Sequence, residues 1–459
     1  MSVKRDDYKT VLQAAARHAN TWLESIPSRD VNPSKNADEI GADLGSTLPD
    51  GPTDPSVVIE KLVEAGEAGL MGMGSGRFFG WVIGGTLPAA LGADWLVSTW
   101  DQNSASRIAT PATAAVEEIA STWLLDVLGL PKTADVGFPT GGMMANFTGL
   151  ISARQKVLSD VGWNLDRDGL NGAPRVRIFV GEERHDTIDR ALRYLGLGAP
   201  TEVEVDDQGR IKVEALAQAL GSGAGPTIVC LQAGNLHSGA FDPFREAIEL
   251  AHKHGAWVHV DGAFGLWALA SPTLRPALDG IELADSWATD AHKTLNVPYD
   301  CGVAIVAHPS ALRSTFGVHA SYLILAENDH GDPSEKVPEF SRRARGVPVW
   351  AAILSLGRTG IANLVDGLVA NARLMAAGLS KIDGCRVLNE IAFTQVCFSF
   401  ENDQRTDEIC ARLIDDKSVW ISGSKWRGQS VLRVSVSNWS TDANDVAIAV
   451  EAVRKAARN

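Results

Sequence analysis

Between Ala112 and Ala307 the chain alternates helical and strand-like runs, and this alternation constrains the fold more than any other feature. Ala115 to Leu128 carries apolar residues at helical spacing and stops at Gly129 and Pro131. Gly141-Gly142 opens a helix through Lys156, Val176 to Val180 is a β-rich run, and Thr187 to Leu195 is helical. Thr227 to Leu231 reads as a strand, Pro243 to His254 as a helix and Ala256 to Val260 as a strand. Trp287 to Thr289 and Val303 to Ala307 add two more strands. Strands alternating with helices imply an α/β fold, with a mostly parallel sheet covered on both faces.

The flanks differ. Residues 1–77 read as helices joined by polar segments, broken by Pro33, Gly41, Gly45 and the turn Pro49-Asp50-Gly51-Pro52. They form an N-terminal helical arm ahead of a large domain over 78–350. Residues 351–459 form a smaller α+β unit. It comprises a long helix (Ile361 to Ile382), strands at Thr394 to Phe400 and Ser430 to Ser437, and helices at Asp407 to Ile414 and Ala443 to Ala457.

Charge and composition exclude several classes. Asp and Glu total 56 against 42 Lys and Arg, a formal net charge of −14 with no basic run, so nucleic acid is not an expected partner. The start, MSVKRDDYKT, lacks an apolar signal region, and Phe78 to Ala93 is too short and too glycine-rich to span a membrane. The five cysteines are odd in number and form no CxxC, which favours neither structural zinc nor a disulfide framework and points to the cytoplasm. His252, His254 and His259 lack a metal-site spacing, so no metal is expected. Gly72-Met73-Gly74-Ser75-Gly76 lacks the strand that a dinucleotide fingerprint follows.

Four features carry chemistry. Thr140-Gly141-Gly142-Met143 is a glycine pair opening a helix, where free N–H groups and the helix dipole hold a phosphate; a tight turn is the alternative. Asp261 ends a buried strand in His259-Val260-Asp261-Gly262-Ala263, the end where ligands bind in a parallel sheet; it either holds a protonated ring nitrogen or caps a helix. Lys293, in Asp290-Ala291-His292-Lys293, follows a strand and is either a Schiff-base lysine or a surface lysine. His185 follows the strand ending near Val180 and either stacks on an aromatic cofactor or caps a helix. Together, in this order, the four make a parts list for pyridoxal phosphate, with Ala263 packing against the ring face opposite His185.

The sequence resembles the pyridoxal-phosphate-dependent group II amino-acid decarboxylases from about Phe78 to the C-terminus. The most specific pieces are HVDGAFG at 259–265 and DAHKTLNVPYDCG at 290–302, supported by GAFDP at 239–243 and the His185 segment. The resemblance implies the aspartate-aminotransferase-like fold of PLP-dependent transferases and a homodimer with sites at the subunit interface. It makes Lys293 the aldimine lysine, Asp261 the pyridine-nitrogen partner and His185 the stacking histidine. Gly142 and Met143 offer N–H groups to the phosphate, and His292 stands where the family has a histidine beside its lysine. The chain departs from the family at Asp290, where many members have Asn. It departs again at Gly234-Asn235-Leu236-His237-Ser238, where a Thr-rich turn is common and Asn235 takes over the polar contact. Met143 and Met144 are bulkier than the usual residues.

The cofactor alone does not choose the reaction. Tyr322 follows Lys293 at an interval similar to that of the family's loop tyrosine, which protonates the carbanion after CO2 leaves; packing the loop is its other reading. Arg433, in Val431-Leu432-Arg433-Val434, suits a substrate carboxylate or a structural salt bridge. The expected function is decarboxylation of an L-amino acid to an amine and CO2. The alternatives are a carbon–carbon lyase of the sphingosine-phosphate-lyase type, an aminotransferase and a catalytically altered protein of the same fold.

Overall fold

The computed structural model describes residues 7–317 and 331–458. Three helices come first: α1 (Asp7–Ser25), α2 (Ala37–Leu44) and α3 (Pro55–Gly66). Asn36 and Glu39 make a capping box for α2, and Asp54 caps α3 ahead of Pro55. Residues 78–87, without regular structure, lead into α4 (Pro88–Trp100) and α5 (Pro111–Leu128).

The alternating region runs β1 (Asp135–Gly137), α6 (Gly142–Asp160), α7 (Leu165–Asp168), β2 (Arg177–Gly181), α8 (Asp186–Tyr194), β3 (Thr201–Val203) and α9 (Val213–Gly221). It continues with β4 (Thr227–Gln232), α10 (Phe244–Lys253), β5 (Trp257–Asp261), β6 (Ser286–Asp290), β7 (Gly302–Val306) and α11 (Pro309–Phe316). The strands form one seven-stranded sheet in the order β1-β7-β6-β5-β4-β2-β3. Strands β2 to β6 are parallel; β7 runs antiparallel to both β6 and β1. The 291–301 connection from β6 to β7 holds no crossover helix, so the chain returns antiparallel. Lys293 lies in this connection.

Neighbouring side chains along the strands enter opposite cores. Phe179, Val229, Leu231, Val258 and Val260 face the core built with α5, α9 and α10, whereas Ile178, Val180, Ile228, Cys230 and Trp257 face α6, α8 and α11. Both faces are therefore covered, as the continuous apolar strands require.

The rest is α12 (Gly346–Leu379), β8 (Arg386–Val387), β9 (Gln395–Ser399), α13 (Asp403–Asp416), β10 (Ser422–Trp426), β11 (Gln429–Ser435) and α14 (Ala443–Arg458). Its strands form an antiparallel sheet, order β10-β11-β9-β8. Val396, Phe398, Leu432 and Val434 pack into one core with α12, α13 and α14, while Cys397, Val431 and Trp426 lie on the other face. Arg433 is in register with Cys397 on that second face. Helix α12 joins both parts: Ile361 and Val365 enter the large core, and Met375 and Leu379 the small one.

Two sequence expectations change. Helix α12 begins at Gly346, not Ile361, because Pro348 sits in its first turn, where no helical N–H is lost; Gly357, at φ 61°, kinks it. The short strands β1, β3, β8 and β10 were not expected.

Candidate active site

Helix α6 starts at Gly142 with no side chain capping it, so the N–H groups of its first turn are open donors at the positive end of the helix dipole. A Cβ on Gly142 would stand 2.5 Å from Asp290 Oδ2, so only glycine fits beside that carboxylate. Met143 follows as the next helical residue.

Asp290 ends β6 and is buried. Its Oδ2 lies 2.8 Å from Lys293 Nζ and its Oδ1 3.5 Å from His292 Nε2. Oδ1 accepts no hydrogen bond among the described residues. The Cys301 backbone N–H donates to His292 Nδ1 at 3.1 Å, which leaves the proton of a neutral ring on Nε2, on the Asp290 side. Burial, more than any charge, pushes the His292 pKa down, and the ring stacks on Tyr299 with centroids 4.2 Å apart. The Tyr299 hydroxyl is pushed up to about 12, mainly by burial.

Asp261 stands at the carboxyl end of β5, beside the end of β6. It is only 6% exposed, and Oδ1 accepts the Ala263 N–H at 3.2 Å. The Ala263 carbonyl in turn accepts from the Asp290 N–H and the Thr289 hydroxyl, which ties the ends of β5 and β6 together. His185 lines one cleft with Asp261, Arg184, Gly209 and Gln232. Its Nδ1 accepts the Thr187 N–H at 3.2 Å and caps α8, leaving Nε2 and the ring faces for a ligand.

Asn235 is committed elsewhere. Oδ1 accepts from the N–H groups of His237 and Ser238, and Nδ2 points to Glu183, so the side chain closes its own turn. Arg433 is 6% exposed and donates to the Leu236 carbonyl at 3.0 Å, with no carboxylate in ion-pair range among the described residues. Burial pushes its pKa down to about 10. The salt-bridge reading of Arg433 therefore lacks its acid. Tyr322 lies outside the described residues.

Three residues have structural roles that the sequence reading did not assign them. His259 bonds Asn146 Oδ1 through Nε2 and Ser286 Oγ through Nδ1, both at 2.9 Å, and so braces α6 against β5 and β6. Burial pushes its pKa down to about 3, so the brace is neutral. Gly84 lies so close to the lysine that a Cβ there would stand 2.0 Å from the Lys293 carbonyl. Asn296 holds the lysine turn from within; its left-handed φ of 56° is the one signal that an Asn between Leu295 and Val297 offered.

Residues 47–401 match the family model described as the pyridoxal-dependent decarboxylase conserved domain. The chain belongs to this family. It is similar to acidic amino acid decarboxylase GADL1 of Bos taurus, at 30% identity over 332 residues, covering 70% of this chain and 63% of the relative. The match thus spans less than two thirds of that relative's length. It is also similar to tryptophan decarboxylase 1 of Oryza sativa subsp. japonica, at 25% over 485 residues, covering 98% and 93%. Among solved structures it is similar to Oryza sativa TDC with PLP and tryptamine, with TM-score 0.92 and 23% identity, covering 100% and 99% of the two chains. At that identity the likeness is one of fold.

A pyridoxal-dependent decarboxylase takes pyridoxal phosphate, and the residues present fit it. The uncapped start of α6 and the His292 Nε2–H supply donors for a phosphate. Asp261 supplies a buried carboxylate with one oxygen free of any described hydrogen-bond partner. Lys293 supplies the amine at the same end of the sheet. Asp290 is an anion that a phosphate at the start of α6 would have to tolerate.

Proposed function

We propose that this chain decarboxylates an L-amino acid to an amine and CO2. One observation carries the reading: Lys293, Asp261 and the bare start of α6 meet at the carboxyl ends of β5 and β6 in a chain of this family. When bound, pyridoxal phosphate supplies an electron sink for the pair left behind as the carboxyl group departs. Asp261 keeps the proton on the ring nitrogen, because its charge lies in a site largely closed to water. The N–H groups of Gly142 and Met143, with His292 Nε2–H, bind the phosphate. Lys293 holds the cofactor through Nζ, and the close approach of Gly84 to its carbonyl fixes the turn that carries it. His185 covers one ring face and Ala263 supports the other.

Arg433 takes a substrate carboxylate. A buried guanidinium without an acid partner has donors to offer, and its planar fork suits two carboxylate oxygens. Tyr322 is assigned, from the resemblance alone, as the donor that protonates the α-carbon. The family match supports decarboxylation over the carbon–carbon lyase reading.

We also propose a homodimer. Leu12 on α1, Val57, Val58 and Leu62 on α3, and Trp95, Leu96 and Trp100 on α4 are exposed large apolar side chains, the kind of surface that a second copy covers.

An amine-product screen over the standard amino acids, with cofactor added and CO2 release followed, tests the function. Stoichiometric amine and CO2 from one substrate class support it; keto acid or aldehyde without CO2 contradicts it. Tyr322→Phe, run alongside, should lose amine formation while still taking up cofactor. Amine at the parent rate would remove Tyr322 from the mechanism.

A further inference from the structure

Asn296 joins three stretches of chain that are far apart in sequence. It is fully buried, with φ 56°, a left-handed conformation that Asn tolerates better than most residues. Its Oδ1 accepts the Gly85 N–H at 2.5 Å and the Trp439 N–H at 3.0 Å. Its Nδ2 donates to the carbonyls of Thr294 at 2.8 Å, Ser437 at 3.0 Å and Lys293 at 3.2 Å. Its own N–H bonds the Lys293 carbonyl at 3.1 Å, and its own carbonyl accepts the Leu87 N–H at 2.8 Å.

The Lys293 carbonyl is thereby held from two sides, by Asn296 and by the close approach of Gly84. The 437–439 segment follows β11, the strand that carries Arg433, after one residue. One amide therefore registers the lysine turn, the 85–87 stretch and the small-domain strand against one another. The geometry needs both halves of a primary amide, an acceptor for two N–H groups and a donor for the carbonyls, in a left-handed residue.

We propose that Asn296 is a positioning residue that fixes the spacing between Lys293 and Arg433, the groups holding the cofactor and the substrate carboxylate. This rests on the functional reading above. Asn296→Gly keeps the left-handed backbone and removes every side-chain bond. Asn296→Asp keeps the two bonds to Oδ1 but turns an acceptor toward three carbonyls.

The test combines amide hydrogen exchange, cofactor absorbance and steady-state kinetics on the full chain loaded with pyridoxal phosphate. In Asn296→Gly, amides of Gly85 and Trp439 should exchange faster together. Bound cofactor should titrate at a shifted pH midpoint, and kcat/KM should fall about 100-fold through misplacement of the reacting groups. In Asn296→Asp the two amides should stay protected while kcat/KM still falls, which keeps the test decisive if the glycine variant does not fold. Parent-like exchange at Gly85 and Trp439 in Asn296→Gly would overturn the tether. Faster exchange with an unchanged midpoint and unchanged kcat/KM would reduce Asn296 to a structural brace and overturn the proposal. A parent that takes up no cofactor would instead overturn the functional reading, while the exchange result still decides the tether.

Discussion

The Asp290 carboxylate pairs with Lys293: Oδ2 lies 2.8 Å from Nζ, at the open end of α6. The same carboxylate thus occupies Lys293 Nζ in an ion pair and opposes an anion at the start of the helix. Both effects work against cofactor loading. Asp290→Asn keeps the shape and removes the charge. Cofactor should then load faster and bind about fivefold tighter, corresponding to an interaction on the order of 1 kcal/mol. A spectrophotometric titration of cofactor-free protein checks this; weaker binding by the Asn variant would show that Asp290 helps to hold the phosphate.

Asp261→Asn should leave cofactor uptake in place but lower turnover about 100-fold, since a neutral amide no longer holds the ring nitrogen as a cation. Cofactor stoichiometry and amine formation, measured on the same preparation, separate the two. Turnover close to the parent's would refute the role of Asp261.

His237 gives a pH dependence with a defined sign. Burial first, then the nearby Arg433, pushes its pKa down from 6.5 to about 4. Between those values the unfolded chain binds the proton and the folded chain does not. The contribution is therefore fully present above pH 6.5 and is lost as pH falls toward 4, with a slope of up to about 1.4 kcal/mol per pH unit. His237→Gln removes this titration, so chemical denaturation between pH 6.5 and 4 should give a flatter profile for the variant. Parallel profiles would contradict it.

The dimer is tested by sedimentation. A single species of twice the chain mass, with activity, is expected. An active monomer would contradict the assignment of α1, α3 and α4 to a subunit interface.

The sequence made the central sheet legible because strands such as Trp257–Asp261 are buried on both faces and read as apolar runs. The same physics placed Asp261 and Lys293 at one end of the sheet. Strands β1, β3, β8 and β10 were not legible: three are two or three residues long, and β10 has a mostly polar sequence. His185 shows a different limit: its Nδ1 caps α8, as the alternative reading expected, and the same ring lines a cleft with Asp261, which no helix-cap pattern indicates. Asn235 fits the sequence expectation least, because a turn residue satisfies itself before it reaches a ligand. The role of Asn296 depends on Gly85 and Trp439, partners that no local pattern could indicate.

The most direct measurement is to load the protein with pyridoxal phosphate, reduce it with borohydride and map the modified peptide. The account predicts a pyridoxyl group on Lys293, and none on Lys293→Ala. A label on another lysine, or no label on a protein that decarboxylates, would contradict it.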